Sequence, residues 1–296
     1  MKRVSGDESK KVGIGVGLRS PHYSYILENR PKISWFEAIS ENYMGLDSLD
    51  GGRPIQILEK VRENYPIVLH GVSLSIGSID EINFKYLDRL RQLIDRINPL
   101  WVSDHICWTG VNGENLHDLM PLPFTEETVE HLTEKILKAQ DFLKRPLVFE
   151  NVSAYLSFRH SEMTEWEFLN EIAQRTGCGL LIDVNNVYVS SVNQNFDPTT
   201  YLSAIPKKSV TQIHLAGHTV SEHCLIDTHD GPVSEKVWDL YGLAIQLYGN
   251  VPTLIEWDDK IPEFSILEAE SVRAERLQQL NLKEDHGKSQ NSTFTV

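Results

Sequence analysis

Six short apolar runs in this chain end in residues that can bind a metal. Ile67-Val68-Leu69 leads to His70, Trp101-Val102-Ser103-Asp104 to His105, and Leu147-Val148-Phe149 to Glu150. Further on, Leu180-Leu181-Ile182 leads to Asp183, Gln212-Ile213 to His214, and Leu254-Ile255 to Glu256. Asn185 and Asn186 follow Asp183, His218 follows His214 further along the same face, Asp258 follows Glu256, and Asp227-x-His229 lies between the last two runs. Taken singly, a histidine on an apolar strand is more often a hydrogen-bonded core residue. An acid at a strand end more often caps a loop or pairs with a cation. Together the residues make a different case. Buried carboxylates cost several kcal/mol each unless paired or metal-bound, and no Lys or Arg lies within these segments. A divalent metal would supply the missing charge. Imidazole and carboxylate without thiolate suit iron, zinc or manganese. The ligands are too many for one ion, so a carboxylate bridging two ions about 3.5–4 Å apart is the economical arrangement.

Such residues converge only if the elements carrying them bring their ends together. Eight short runs are β-branched or aromatic and apolar on both faces, the pattern of buried strands. They begin at Val12, Trp35, Ile67, Leu100, Pro146, Gly179, Val210 and Pro252. The stretches between them have helical spacing, as in Leu87, Leu90, Ile94 and Ile97, or Val129, Leu132, Ile136, Ala139 and Leu143, each set forming one apolar stripe. Ser78 or Asp80 is the expected cap of the first of these helices and Thr125 of the second. Asn98-Pro99 and Arg145-Pro146 are expected to end them. Eight strands alternating with helices over about 250 residues predict an α/β fold, a (β/α)8 TIM barrel in a single domain. An open doubly wound sheet is the alternative on strand count alone. The run Gly13-x-Gly15-x-Gly17 lies inside the first strand and lacks the GxGxxG spacing of a dinucleotide site. The barrel is expected over residues 12–281, with polar, aperiodic tails at 1–11 and 282–296.

The 296 residues are 41% hydrophobic and 24% charged, enough apolar side chain for a core. Cys107, Cys178 and Cys224 are far apart and form no CxxC pair, which fits a reducing compartment. The first residues have no apolar stretch behind their positive charges, so no secretory signal is expected. No run approaches the roughly 20 apolar residues of a membrane span. A cytoplasmic protein is the expectation. The net charge of −14 repels nucleic acid and anionic membrane alike.

In order and approximate spacing, the series His70, His105, Glu150, Asp183, His214, Asp227-x-His229, Glu256 resembles the tri-metal barrels related to endonuclease IV and xylose isomerase. That resemblance implies Glu150 as a bridge between one ion on His70 and His105 and a second on Asp183, His214 and Glu256. It implies a third ion on Asp227, His229 and a ligand three residues after Asp183. In endonuclease IV that ligand is a histidine; here it is Asn186, a weaker donor, which predicts a weak third site. Five local words are narrower: Ser103-Asp104-His105, Phe149-Glu150-Asn151-Val152, Asp183-Val184-Asn185-Asn186-Val187-Tyr188, Ile213-His214-Leu215-Ala216-Gly217-His218 and Asp227-Thr228-His229-Asp230. Together they resemble the multinuclear non-heme iron-dependent oxidative enzymes, the family of the methanobactin-biosynthesis oxidase, over about Val12 to Trp257. The resemblance implies two or three irons, with zinc or manganese in their place as isolated. It also implies oxygen-dependent modification of a cysteine-containing precursor peptide and a separate partner protein that presents it.

Three other functions compete. A zinc phosphodiesterase like endonuclease IV fits the ligand order, but the chain lacks a basic footprint. The segments His22-Tyr23-Ser24-Tyr25 and Gly45-Leu46-Asp47-Ser48 are not phosphate-binding in character. A sugar isomerase or epimerase would use Glu150 and Glu256 across a barrel and leaves His70 and His105 without a purpose. A non-catalytic metal-binding protein has nothing specific in its favour.

Overall fold

The computed structural model describes residues 12–45 and 52–291, with side chains as far as Leu282. Residues 1–11, expected as a tail, lie outside the described residues, as do 46–48. In chain order the strands are β1 (Ile14–Gly17), β2 (Trp35–Ile39), β3 (Ile67–His70), β4 (Val102–His105), β5 (Trp108–Val111), β6 (Glu114–Met120), β7 (Val148–Glu150), β8 (Gly179–Asp183), β9 (Val210–Leu215), β10 (Thr219–Val220), β11 (Leu225–Ile226) and β12 (Thr253–Ile255). The helices are α1 (Tyr23–Asn29), α2 (Gly52–Arg62), α3 (Phe84–Ile97), α4 (Glu126–Leu143), α5 (Glu165–Thr176), α6 (Val184–Gln194), α7 (Pro198–Ala204), α8 (Glu235–Tyr248) and α9 (Phe264–Asn291).

Eight strands close a parallel barrel in the order β1-β12-β9-β8-β7-β4-β3-β2, and β2 returns to β1 through the pairs Gly15–Trp35 and Val16–Phe36. Closure excludes the open sheet. The fold is the (β/α)8 barrel, and its eight strands are the eight apolar runs. Two antiparallel hairpins, β5–β6 and β10–β11, stand apart from the barrel sheet.

The strand period of two organises the lumen. Trp35, Val68, Trp101, Val148, Leu181 and Leu254 form a buried apolar cluster separate from the larger core between strands and helices. Two residues further along stand Glu37, His70, Ser103, Glu150, Asp183 and Glu256, all buried. Side chains alternate across a strand, so these occupy the next layer on the same face. The lumen therefore has an apolar floor and, toward the carboxyl ends of the strands, a polar layer. The glycine run of β1 belongs to this scheme. A Cβ on Gly15 would lie 2.4 Å from the Trp35 indole, and one on Gly17 would lie 2.8 Å from the Arg19 guanidinium. β1 gives up its own side chains so that its neighbours' can fill the space.

The helical stripes are buried as their spacing requires, with Leu87, Leu90, Ile94 and Ile97 on α3 and Val129, Leu132, Ile136, Ala139 and Leu143 on α4. Thr125 caps α4, accepting from the Thr128 amide at 3.2 Å. The expected cap of α3 is corrected: Asn83, not Ser78 or Asp80, accepts from the Tyr86 amide at 3.1 Å. Ser78 is engaged elsewhere, its hydroxyl donating to the Gly110 carbonyl at 2.7 Å, while Lys135 holds the carbonyls of Ser78 and Asp80. Asn98 and Lys144 end the two helices in left-handed conformation. α9 continues past residue 281 to Asn291.

Candidate metal centre

The polar layer gathers ligand atoms into three groups, in each of which they lie within 4.8 Å of one another. The first is His70, His105 and Glu150. The second is Glu150, Asp183, His214 and Glu256. The third is His229, Glu256 and Asp258. Glu150 belongs to the first two and spans them. Its Oε2 lies 3.4 Å from Nε2 of His70 and 3.4 Å from Nε2 of His105, and its Oε1 lies 3.6 Å from Nδ1 of His214. Each histidine presents one nitrogen to the lumen centre because the other is held from behind. Nδ1 of His105 donates to the Gly71 carbonyl at 3.1 Å. Nδ1 of His70 meets the Ser103 hydroxyl at 2.8 Å. Nε2 of His214 meets Glu37 at 3.3 Å, and Nδ1 of His229 meets Asp258 at 3.1 Å. Partners of this kind fix the tautomer and direction of a ligating imidazole.

Asp183 is placed by the start of α6. Its Oδ1 accepts from the Asn186 amide as an N-cap at 2.7 Å, and the Asn151 side chain bonds its backbone on both sides. Its Oδ2 is left without a hydrogen bond. So are Glu150 Oε2, Glu256 Oε2, His214 Nδ1, His229 Nε2 and Asn186 Oδ1, all buried. Buried polar atoms without partners are rare, yet here they cluster and are lone-pair bearers. Nδ1 of His214 and Oε2 of Glu256 approach to 2.8 Å without hydrogen-bond geometry. These residues fit a group of cations, which would satisfy the orphaned atoms together.

The electrostatics agree. Burial pushes Glu150 up to about 7, and Glu256 and Glu37 add to the shift against the pull of His214. Burial likewise raises Asp183 well above the usual carboxylate range, opposed by His229 and reinforced by Glu150 and Asp227. Burial would lower His214, but Glu256, Glu37 and Glu150 carry it well above the ordinary imidazole value. His70 and His105 are pushed down, chiefly by burial, and stay neutral, the form that ligates.

Around His229 the arrangement is richer than the expected trio of Asp227, His229 and Asn186. Nε2 of His229 lies 2.6 Å from Asp227 and 3.9 Å from Asp183, while Nδ1 faces Asp258 and Glu256. Asn186 donates its amide nitrogen to the Asn151 carbonyl at 3.0 Å, which leaves its oxygen free. Asp227 accepts from Asn185 at 2.7 Å.

Two expectations are corrected. His218 does not join the cluster on the face of His214. β9 ends at Leu215, and the His218 ring instead bonds Asn185 at 2.8 Å and packs on Tyr188. Nor is the layer without a counter-charge: Arg19, just after β1, bonds the Asp258 carboxylate and the Trp257 carbonyl. Against the effect of burial, His229 and Arg19 hold Asp258 below the usual range. Glu37 escaped the sequence reading altogether, although a charged residue inside the apolar run Trp35-Phe36-Glu37-Ala38-Ile39 is a legible signal.

A cavity of about 280 Å³ opens beyond the carboxyl ends of β4 and β7, and none of the candidate ligands lines it. Its wall includes Ile106, next after His105, and Asn151 and Val152, next after Glu150, with Leu122, Phe158 and Phe196 beyond.

A family model described as "RiPP precursor modification enzyme MbnB/TglH/ChrH" matches residues 13–279. Among relatives, a UPF0276 protein of Acaryochloris marina is 50% identical over 263 residues, 89% of this chain and 94% of its own. One from Anaeromyxobacter is 52% identical over 263 residues, 89% of this chain and 92% of its own. Among solved structures, an L-ribulose 3-epimerase superposes with a TM-score of 0.60 at 12% identity over 95% of this chain and 97% of its own. A D-psicose 3-epimerase gives 0.59 at 9% identity over 91% and 99%. At such identities the likeness is one of fold.

Proposed function

Since the chain belongs to this family of enzymes that modify precursors of ribosomally synthesised, post-translationally modified peptides, we propose that it is a multinuclear non-heme iron oxidase. It uses dioxygen to modify a cysteine of a precursor peptide, which a separate partner protein presents. The observation that carries the metal reading is the Glu150 carboxyl, with Oε2 toward two imidazoles and Oε1 toward a third. In this reading His70, His105 and Glu150 hold one ion, and Glu150, Asp183, His214 and Glu256 hold a second. Asp227, His229 and Asn186 hold a third, weaker one. Bound iron would supply Lewis acidity and one-electron exchange with dioxygen. The chain's own part is to hold neutral imidazoles in one tautomer, to keep water out through the apolar floor, and to offer the peptide a seat beside the ligands.

The cavity beyond β4 and β7 favours a peptide over a sugar. Its wall is apolar, and Leu122, Phe124, Phe158 and Phe196 suit a hydrophobic side chain next to the modified residue, whereas a sugar needs convergent polar groups.

The test is to produce the protein in iron-rich medium together with a short cysteine-bearing peptide encoded beside its gene and the neighbouring partner protein. The peptide's mass is then followed with and without oxygen. An oxygen- and iron-dependent mass change is expected. An unmodified peptide, with zinc-supported cleavage of abasic DNA under anaerobic conditions or epimerisation of a ketose, would overturn the reading.

A further inference from the structure

We infer that Glu37 is a positioning residue for the second group of ligands: reaching across the lumen from β2, it accepts the Nε2–H hydrogen bond of His214 when a cation takes Nδ1. The inference rests on the metal reading above and adds to it the one acceptor without which His214 cannot serve.

Glu37 is fully buried in the middle of an apolar strand. Its hydrogen-bond partners are Gln212, at 2.6 Å, and His214, at 3.3 Å. The direction of the Gln212 amide is settled from behind. The Trp101 indole, which can only donate, bonds its oxygen, so the amide nitrogen faces Glu37 and also stands 2.6 Å from Nε2 of His214. A His214 that ligates has to be neutral, and two neutral tautomers are open to it. With the proton on Nδ1, the ring accepts from Gln212 and donates toward Glu256, 2.8 Å away. With the proton on Nε2, the 2.6 Å contact with the Gln212 nitrogen sets two donors against each other, and the ring has to turn its N–H away to Glu37, the acceptor in reach. Only the second tautomer offers a lone pair at Nδ1, the atom that faces Glu150 and Glu256. A cation at Nδ1 therefore requires the proton on Nε2, and Glu37 is the group that accepts its hydrogen bond.

His70 and His105 are backed by neutral groups, the Ser103 hydroxyl and the Gly71 carbonyl. His214 alone of these three is backed by a carboxyl group. Loss of Glu37 should be felt at the second group and not at the first.

The experiment uses the full chain labelled with ¹⁵N-histidine, stripped by chelator and reloaded with zinc as a diamagnetic probe. In the wild type, His214 should show a protonated Nε2 and a metal-shifted Nδ1. Glu37→Gln, which keeps the shape, should weaken one zinc site about 10–100-fold and leave the His70 and His105 signals unmoved. Equal zinc affinity in Glu37→Gln would overturn the inference while the metal reading stands. So would a His214 carrying its proton on Nδ1 in the zinc-loaded wild type, a measurement that needs no variant. A wild type that binds no zinc at saturation would overturn the metal reading and this inference with it.

Discussion

The two oxygens of Glu150 are turned to different partners, and a substitution there should act on both at once. Glu150→Ala is expected to remove the ions of the first and second groups together, whereas His70→Ala weakens mainly one; metal content per chain after gel filtration reads the difference. Full metal content in the Glu150 variant would rule out the bridge. The ligands around His229 predict a graded loss. Asn186 offers an amide oxygen where imidazole would bind more strongly, so dialysis against a chelator should strip the third ion first. Titrating iron back into the stripped protein checks this, and a stoichiometry that never exceeds two would count against the site. A third residue belongs to none of the three ligand groups. Burial pushes Glu165 up to about 7, against a hydrogen bond from Tyr201 that lowers it. A carboxyl raised in the folded state disfavours folding once it must ionise. Its penalty is absent below about 4.5, its unfolded value, and complete above about 7. Glu165→Gln should therefore be nearly neutral at pH 4.5 and stabilising by about 1–3 kcal/mol at pH 8, read as the shift in urea midpoint at each pH. At this scale eight of the nine candidate ligands could be proposed because each ends an apolar run or stands in a short acid–histidine motif, whereas Asn186 was named only through the resemblance. Glu37 and Arg19 were assigned no part in the centre, since their roles come from contacts across the lumen that no local spacing records, and Asp258 was noted only as the acid after Glu256.

Among the elements, β1 shows how a strand can be defined by what it lacks. Its glycines read as a failed nucleotide motif in the sequence, and the physical reason for them appears only with closure, when the Trp35 indole lies over Gly15. Gly15→Val should force the indole or the strand to move. A loss of about 2–4 kcal/mol is expected for such overpacking, measurable by urea denaturation, with Gly15→Ala intermediate. The other barrel strands are legible because both their faces are buried, which gives continuous apolar runs. The β5–β6 hairpin was passed over although Asn112-Gly113, both at positive φ (54° and 80°), joins Val111 to Glu114 as a two-residue turn. Glu114–Met120 is mostly exposed, so no apolar alternation accompanies that turn. The cap of α3 was misplaced for a different reason. Ser78 and Asp80 have the right chemistry, but their turn is tied to Gly110 and Lys135, partners distant in sequence.

For the molecule as a whole, the apolar floor under the polar layer makes the lumen a well closed at the amino-terminal end of its strands. Trp35, Val68, Trp101, Val148, Leu181 and Leu254 seal the amino-terminal end of the strands. Anything small that reaches the ligands, whether gas, chelator or reductant, is then expected to come and go at the carboxyl ends of the strands, the side on which the proposed peptide would sit. A peptide in place is then a stopper as well as a reactant, and traffic through the mouth becomes last in, first out. The rate at which a chelator removes metal should fall when a bound peptide covers the opening, and should recover when the peptide is competed away. A stripping rate indifferent to bound peptide would mean that the well leaks elsewhere. A sealed vessel of this kind imposes an order of arrival: the small co-reactant enters before the peptide closes the mouth, or waits until it leaves.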